Sequence, residues 1–138
     1  MNSSLFNEAA DKYQHIAIVE QVGHGLVPLI ESGKIDSPEM RQLLHTYLQP
    51  MIEANIDYLV LGCSHYPYLI PQIKKILPAT IQIIDSGEAV ARQTQSVLEK
   101  TIGFNASEKP FHTFVSNSDS KVLKDVLNHQ YNVIERSF

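Results

Sequence analysis

The chain has 138 residues, of which 43% are hydrophobic, and its 15 acidic and 11 basic side chains give a formal net charge of −4. This is the length of one compact domain with its own core. No run of about 18 apolar residues could span a bilayer, and an acidic chain without a basic stripe argues against a nucleic-acid surface. The first 13 residues lack the basic and apolar regions of a secretory signal, so we expect a cytoplasmic protein.

Short β-branched runs alternate along the chain with longer segments of helical period. Parallel strands need crossover connections, which are usually helices. The alternation therefore predicts an α/β fold in which a mostly parallel sheet is flanked by helices. Strands are predicted over residues 16–20, 58–61, 81–84 and 111–115, and helices over residues 26–32, 38–54, 70–77, 88–102 and 119–128.

The clearest predicted helix is the one over residues 38–54. Its apolar residues recur at helical spacing and form one stripe that would face a sheet. Asp36 or Ser37 can cap the free N–H groups at its start, and Pro38 suits the first helical position. Asn55 tolerates the left-handed conformation that ends many helices. Gly103 predicts the same kind of end for the helix over residues 88–102.

Polar side chains follow two of the predicted strands, and ligands in such sheets bind beyond the carboxyl ends of strands. The first group is GCSHYP over residues 62–67, the second is DSG over residues 85–87, and residues 20–24 are a third candidate. Of these the first is the richest in chemistry. It holds the only cysteine of the chain, which also excludes an internal disulfide.

The residues of GCSHYP suit a thiolate that acts beside a small anionic substrate. Cys63 would lie at the rim of the sheet, and the N–H groups at a helix start near Pro67 would favour an anion there. Ser64 adds a hydroxyl donor, and His65 adds an imidazole that exchanges protons near neutral pH. A lone cysteine after an apolar strand is, however, most often a small buried hydrophobe. Composition and spacing leave both readings open.

Three motifs in order, GLVPLIESG, LGCSHYP and IDSGEAVA, resemble the second half of the bacterial glutamate racemases, in the aspartate/glutamate racemase superfamily. The resemblance covers nearly the whole chain. It implies a cofactor-independent enzyme, without a metal, that interconverts L- and D-glutamate with two thiols and supplies D-glutamate for peptidoglycan.

The resemblance assigns roles to four side chains. Cys63 matches one of two catalytic cysteines, which removes or returns the proton at Cα. Ser64 matches a substrate-binding residue, and His65 matches a residue that binds substrate and handles the proton beside the thiol. Glu31 matches an acidic residue that supports the pocket. The Asp-Ser pair at residues 85 and 86 matches a motif that we interpret as structural.

The chain departs from the family pattern at two places. Ser64 replaces the usual threonine, which keeps the hydroxyl and loses a methyl group. Residues 23–25, Gly-His-Gly, stand where the family has Cys-Pro, and this changes a wall near the site.

The resemblance further implies that the chain is part of a two-domain racemase-like fold. Residues 1–84 would form most of the second α/β domain, and residues 85–138 would be a C-terminal segment that returns to the first domain. We therefore expect a C-terminal fragment that is inactive alone for lack of the first cysteine. Its exposed surface would favour a homodimer or another form of self-association.

Two other functions stay open at this point. One is a one-cysteine relative that resembles the arylmalonate decarboxylases, in which a thiol protonates the carbanion left by loss of CO₂. The other is a non-enzymatic interaction module with exposed apolar surface. Release of CO₂ from malonates would identify the first, and dimerisation without any effect of glutamate on the thiol would identify the second.

Overall fold

The structure is a computed structural model that describes residues 4–104, 109 and 111–138. Helices and short strands alternate along these residues. In chain order they are α1 (Ser4–Lys12), α2 (Leu26–Glu31), α3 (Pro38–Glu53), β1 (Tyr58–Val60), a 3-10 helix (Tyr66–Leu69), α4 (Ile70–Ile73), β2 (Gln82–Ile84), α5 (Gly87–Thr101), β3 (Thr113–Ser116), α6 (Ser120–Val126) and β4 (Asn132–Glu135).

All strand pairs among the described residues are parallel. β1 pairs with β2, with Leu59 opposite Ile83, and β3 pairs with β4, with Phe114 opposite Val133. The α/β class and the parallel pairing are confirmed. The strands nevertheless form two separate two-stranded sheets and not one continuous sheet.

The helix predicted from periodicity and caps is present as α3. The Ser37 hydroxyl accepts a hydrogen bond from the Met40 N–H at 3.1 Å, and Pro38 occupies the first turn. Asn55, just beyond the helix, has a φ of 53°. Gly103 likewise adopts a left-handed φ of 69° after α5, which a residue with a Cβ adopts only at a cost.

Replacing Ser37 by alanine tests the cap. The loss of its side-chain acceptor leaves the Met40 N–H unpaired, so we expect the free energy of unfolding to fall by about 0.5–2 kcal/mol. Urea unfolding followed by circular dichroism measures this. Ser96→Ala within α5 is the control and should leave the midpoint unchanged or raise it, because alanine favours helices. An unchanged midpoint for Ser37→Ala would contradict the capping role.

Two predictions of local structure are wrong, and two elements were not predicted. Residues 16–20 form no strand, and Ile16 and Ile18 are more than half exposed, because a β-branched run needs a neighbouring strand to pair with. The helix predicted over 70–77 ends at Ile73 and continues as tighter turns, with the Ile76 N–H bonded to the Ile73 carbonyl oxygen. Strand β4 and helix α1 were not predicted.

The buried core lies in the middle of the chain. Its apolar residues come from α2, α3, β1 and the segment that follows β1, and Met40 and Leu69 are fully buried. No described residue from 85 to 138 is buried, and Ile102 and Phe111 are at least 80% exposed. The packing that stabilises the fold is therefore centred on residues 26–77. The buried members of this core are Leu26, Leu29, Ile30, Met40, Leu44, Leu48, Leu59, Leu61, Leu69, Ile73 and Leu77.

Candidate functional site

The polar loop GCSHYP begins where the first sheet ends. The Leu61 N–H still donates to the Ile84 carbonyl oxygen at 2.8 Å, so the chain leaves the sheet only at Gly62. The Tyr66 N–H then donates to the Cys63 carbonyl oxygen at 3.1 Å and closes a turn. This turn leads directly into the 3-10 helix and holds Cys63 half-buried at the carboxyl end of β1.

The helix start near Pro67, which was predicted to bind an anion through its free N–H groups, is a 3-10 turn in the structure. The helix begins at Tyr66 as a 3-10 helix, and the loop carbonyls already accept its first N–H groups. Besides the bond from Tyr66, the Tyr68 N–H donates to the His65 carbonyl oxygen at 3.2 Å. These donors are used within the turn, so the chemistry of this loop depends on its side chains.

Three side chains at the rim of the sheet contact one another in sequence. The Cys63 Sγ lies 3.9 Å from the His65 Nδ1, and the His65 Nε2 lies 3.1 Å from the Glu31 Oε1. Glu31 is the last residue of α2, 34 residues before His65. The side chains of His65 and Glu31 are 34% and 49% exposed, so water reaches the pair.

This arrangement suits proton transfer between a thiol and an imidazole. When Glu31 accepts a hydrogen bond from the Nε2–H, the Nδ1 is left as an acceptor that faces the Cys63 thiol. An imidazolium formed by transfer from the thiol then lies beside the Glu31 carboxylate, which stabilises its charge. The structure therefore brings Cys63, His65 and Glu31 into one group, and it brings Ser64 to a cavity beside them.

A cavity of about 220 Å³ opens on the Glu31 side of His65. Its wall combines polar groups of the loop and α2 with apolar groups of α6. Val122 and Val126, spaced four residues apart on α6, were not recognised as site residues from the sequence. The lining residues are Ile30, Glu31, Ser64, His65, Tyr68, Val122 and Val126.

The charged residues of α6 lie away from this cavity. The Lys121 Nζ is 2.5 Å from the Asp125 Oδ2, and the His129 Nε2 is 3.1 Å from the Asp125 Oδ1. The hydrogen bond from Lys121 lowers the pKa of Asp125, and the same bond raises the pKa of Lys121. All three side chains are well exposed, so α6 presents its charges to solvent and its valines to the cavity.

The other two polar segments have local structural contacts. The Asp85 Oδ1 accepts a hydrogen bond from the Gly87 N–H at 2.8 Å and forms a turn at the start of α5. In the Gly-His-Gly segment, the Gly23 carbonyl oxygen accepts a hydrogen bond from the Tyr66 hydroxyl, and the His24 carbonyl oxygen accepts one from the Tyr47 hydroxyl.

Within residues 4–104, 109 and 111–138, no group of three or more His, Cys, Asp or Glu side chains is placed to hold a metal ion. Over the same part of the chain, no helix is long and apolar enough to cross a membrane.

Comparison with known sequences gives one family. No family model matches, but the chain is 41% identical to the glutamate racemase of Pseudomonas syringae pv. tomato over 120 residues, 86% of this chain and 43% of that protein. It is 36% identical to the glutamate racemase of Pseudomonas putida over 128 residues, 92% of this chain and 48% of that protein. The chain thus spans about half the length of the curated relatives it matches.

Solved structures give the same fold. The glutamate racemase of Francisella tularensis, determined in complex with D-glutamate, superposes with a TM-score of 0.81 at 23% identity over 96% of this chain and 51% of that chain. A glutamate racemase isoform of Bacillus anthracis gives a TM-score of 0.78 at 23% identity over 97% of this chain and 52% of that chain. The arrangement of helices and parallel strands described above is therefore a known one.

Proposed function

Because the chain belongs to the glutamate racemase family, we propose that it supplies one of the two acid–base faces of a cofactor-independent glutamate racemase. The observation that carries the proposal is the connected chain of Cys63, His65 and Glu31, with distances of 3.9 Å and 3.1 Å. A thiol with an imidazole and a carboxylate behind it is equipped to take a proton from carbon and to return one.

In this proposal Cys63 acts on one face of the substrate. Its thiolate takes the proton from Cα of one enantiomer of glutamate, and its thiol delivers a proton to the planar carbanion formed from the other enantiomer. His65 receives the thiol proton before the first of these steps and returns it after the second, while Glu31 stabilises the imidazolium. The Ser64 hydroxyl, at the cavity beside His65, would bind the substrate.

Inversion at Cα requires a second acid–base group on the opposite face of the carbanion. This chain has one cysteine, so a second thiol must come from another stretch of protein. We therefore expect the 138-residue polypeptide alone to show no turnover. As a racemase, it would act in the cytoplasm and supply D-glutamate for peptidoglycan.

The proposed division of the chain places residues 1–84 in the second racemase domain and residues 85–138 in a segment that packs on the first domain. Two features support it: the buried core lies within residues 26–77, and β3 and β4 pair only with each other among the described strands. The exposed apolar side chains of residues 85–138, such as Ile102 and Phe111, would also support self-association of the isolated chain.

A chimaeric enzyme tests this function. This chain would replace the matching 120-residue stretch of the Pseudomonas syringae relative, and polarimetry would follow racemisation of L- and D-glutamate. The unaltered relative is the positive control, and the isolated chain is the negative control. We expect turnover by the chimaera and none by the isolated chain.

Three other outcomes would decide against parts of the proposal. A chimaera that folds, as judged by circular dichroism, but does not racemise glutamate would refute the assigned activity. Release of CO₂ from an arylmalonate by the same chimaera would instead identify the decarboxylase alternative. Robust racemisation by the isolated chain would contradict the requirement for a second thiol.

A further inference from the structure

Two tyrosine hydroxyls donate hydrogen bonds to the segment that leads into α2. The Tyr47 hydroxyl, on α3, donates to the His24 carbonyl oxygen at 2.7 Å. The Tyr66 hydroxyl, at the start of the 3-10 helix, donates to the Gly23 carbonyl oxygen at 3.3 Å. The two bonds attach adjacent carbonyl groups of one short segment to two different elements of the core.

The fit around Gly23 is close. A Cβ at this position would lie 2.6 Å from the Tyr66 Oη and 2.6 Å from the Leu26 Cδ1, well inside van der Waals contact. Gly25 follows with a φ of 81°, in the left-handed region that favours glycine. The Gly-His-Gly sequence, which is a departure from the family pattern, thus lets the backbone approach the tyrosine hydroxyl.

This segment determines where α2 begins. The residue before the helix is Gly25, which has no side chain to cap the first N–H groups, so the start of α2 depends on how its preceding backbone is held. The helix has six residues and is therefore only about 9 Å long. A shift at its start is carried over this short distance to Glu31 at its end.

We propose that Tyr47 and Tyr66 are positioning residues that hold α2 so that Glu31 meets His65, an inference that rests on the function proposed above. Tyr66 is especially placed for this, because it follows His65 directly in the chain and bonds the segment before α2. Tyr66 is thus covalently attached to His65 and hydrogen-bonded to the segment that leads to Glu31. Tyr47 gives the second attachment from α3.

Two properties of the surroundings support this role. Burial raises the pKa of Tyr66, with further contributions from the nearby Cys63 and Tyr47, so its hydroxyl stays a donor across the neutral range. Among the described residues, the titratable groups that contact His65 or line the cavity with it are Cys63 on its own loop, Glu31 on α2 and Tyr68 on the 3-10 helix. Helix α6 contributes only valines there, so Glu31 is the anionic partner of the imidazole.

The single cysteine makes the test specific, because alkylation by iodoacetamide reports on Cys63 alone. The rate reports the reactivity of this thiol, which we expect to fall when His65 loses its contact with Glu31. We expect Tyr47→Phe and Tyr66→Phe each to lower the alkylation rate of the full chain at pH 7 by about two- to tenfold. Tyr58→Phe, on β1, is the matched control and should leave the rate unchanged.

A double-mutant cycle separates positioning from a general loss of structure. Glu31→Gln should lower the rate at least as much as either tyrosine variant, and Tyr47→Phe added to Glu31→Gln should have no further effect. The added methyl group of Gly23→Ala would clash with the Tyr66 hydroxyl. This variant should therefore lower the alkylation rate, as Tyr66→Phe does.

The cycle also distinguishes the two proposals. If Glu31→Gln lowers the alkylation rate but neither tyrosine variant nor Gly23→Ala does, the positioning role is overturned and the proposed function stands. If Tyr47→Phe lowers the rate equally with and without Glu31, its effect does not pass through Glu31 and the inference is again overturned. If Glu31→Gln has no effect, the role of Glu31 in the proposed function fails first.

Discussion

Replacing Cys63 by serine in the chimaeric enzyme is expected to lower the rate of glutamate racemisation by about 10³-fold or more, within the range that general acid–base groups contribute. A serine hydroxyl keeps the size and the position of the donor, but near neutral pH it has almost no ionised fraction with which to remove a proton from carbon. One face of the substrate then lacks its base.

The measurement is polarimetry combined with NMR of the Cα position in D₂O. The unaltered chimaera should incorporate solvent deuterium while it inverts the centre. The Cys63→Ser chimaera should lose inversion of both enantiomers, and it should lose deuterium incorporation into the enantiomer whose Cα proton faces Cys63. Tyr131→Phe also changes one heavy atom, at an exposed residue outside the site, and should keep full activity. A Cys63→Ser chimaera that folds and retains more than about a tenth of the rate would show that Cys63 is not an acid–base group.

Replacing Leu44 by alanine is expected to give a large loss of stability. Leu44 is 2% exposed at the centre of α3, within the core of residues 26–77. Truncation removes buried methyl groups and leaves a cavity, which together cost about 2–5 kcal/mol. Urea unfolding of the 138-residue chain, followed by circular dichroism, measures the change.

The control for this variant is Val97→Ala on α5, a side chain that is 46% exposed. We expect it to change the free energy of unfolding by less than about 0.5 kcal/mol. Equal losses at Leu44 and Val97 would mean that residues 85–138 have a buried core of their own, against the described distribution of burial.

Much of the fold could be predicted from the sequence where the signals are local. The apolar stripe, the Ser37 cap and the left-handed Asn55 all lie within one stretch of chain, and α3 agrees with them. Residues 16–20 have the composition of a strand, but a strand also needs a partner, which composition does not reveal. For the same reason the pattern could not show that the strands divide into two separate sheets.

In the site, too, the local contact could be predicted from the sequence and the long-range contacts could not. Cys63 and His65 are two residues apart, so their proximity could be predicted from the sequence alone. The contact of His65 with Glu31 spans 34 residues and was not predicted; the family resemblance only assigned Glu31 to the pocket. Val122 and Val126 were missed because the apolar spacing of a short helix does not tell which surface the helix will cover.

The most direct measurement of the central claim is the pH dependence of Cys63 alkylation in the 138-residue chain, compared between the unaltered protein and His65→Gln. A thiol that shares its proton with His65 should lose about tenfold or more of its alkylation rate at pH 7 when the imidazole is removed. His45→Gln, on the exposed side of α3, should leave the curve unchanged. Superimposable profiles for all three proteins would contradict the claim that His65 activates this thiol.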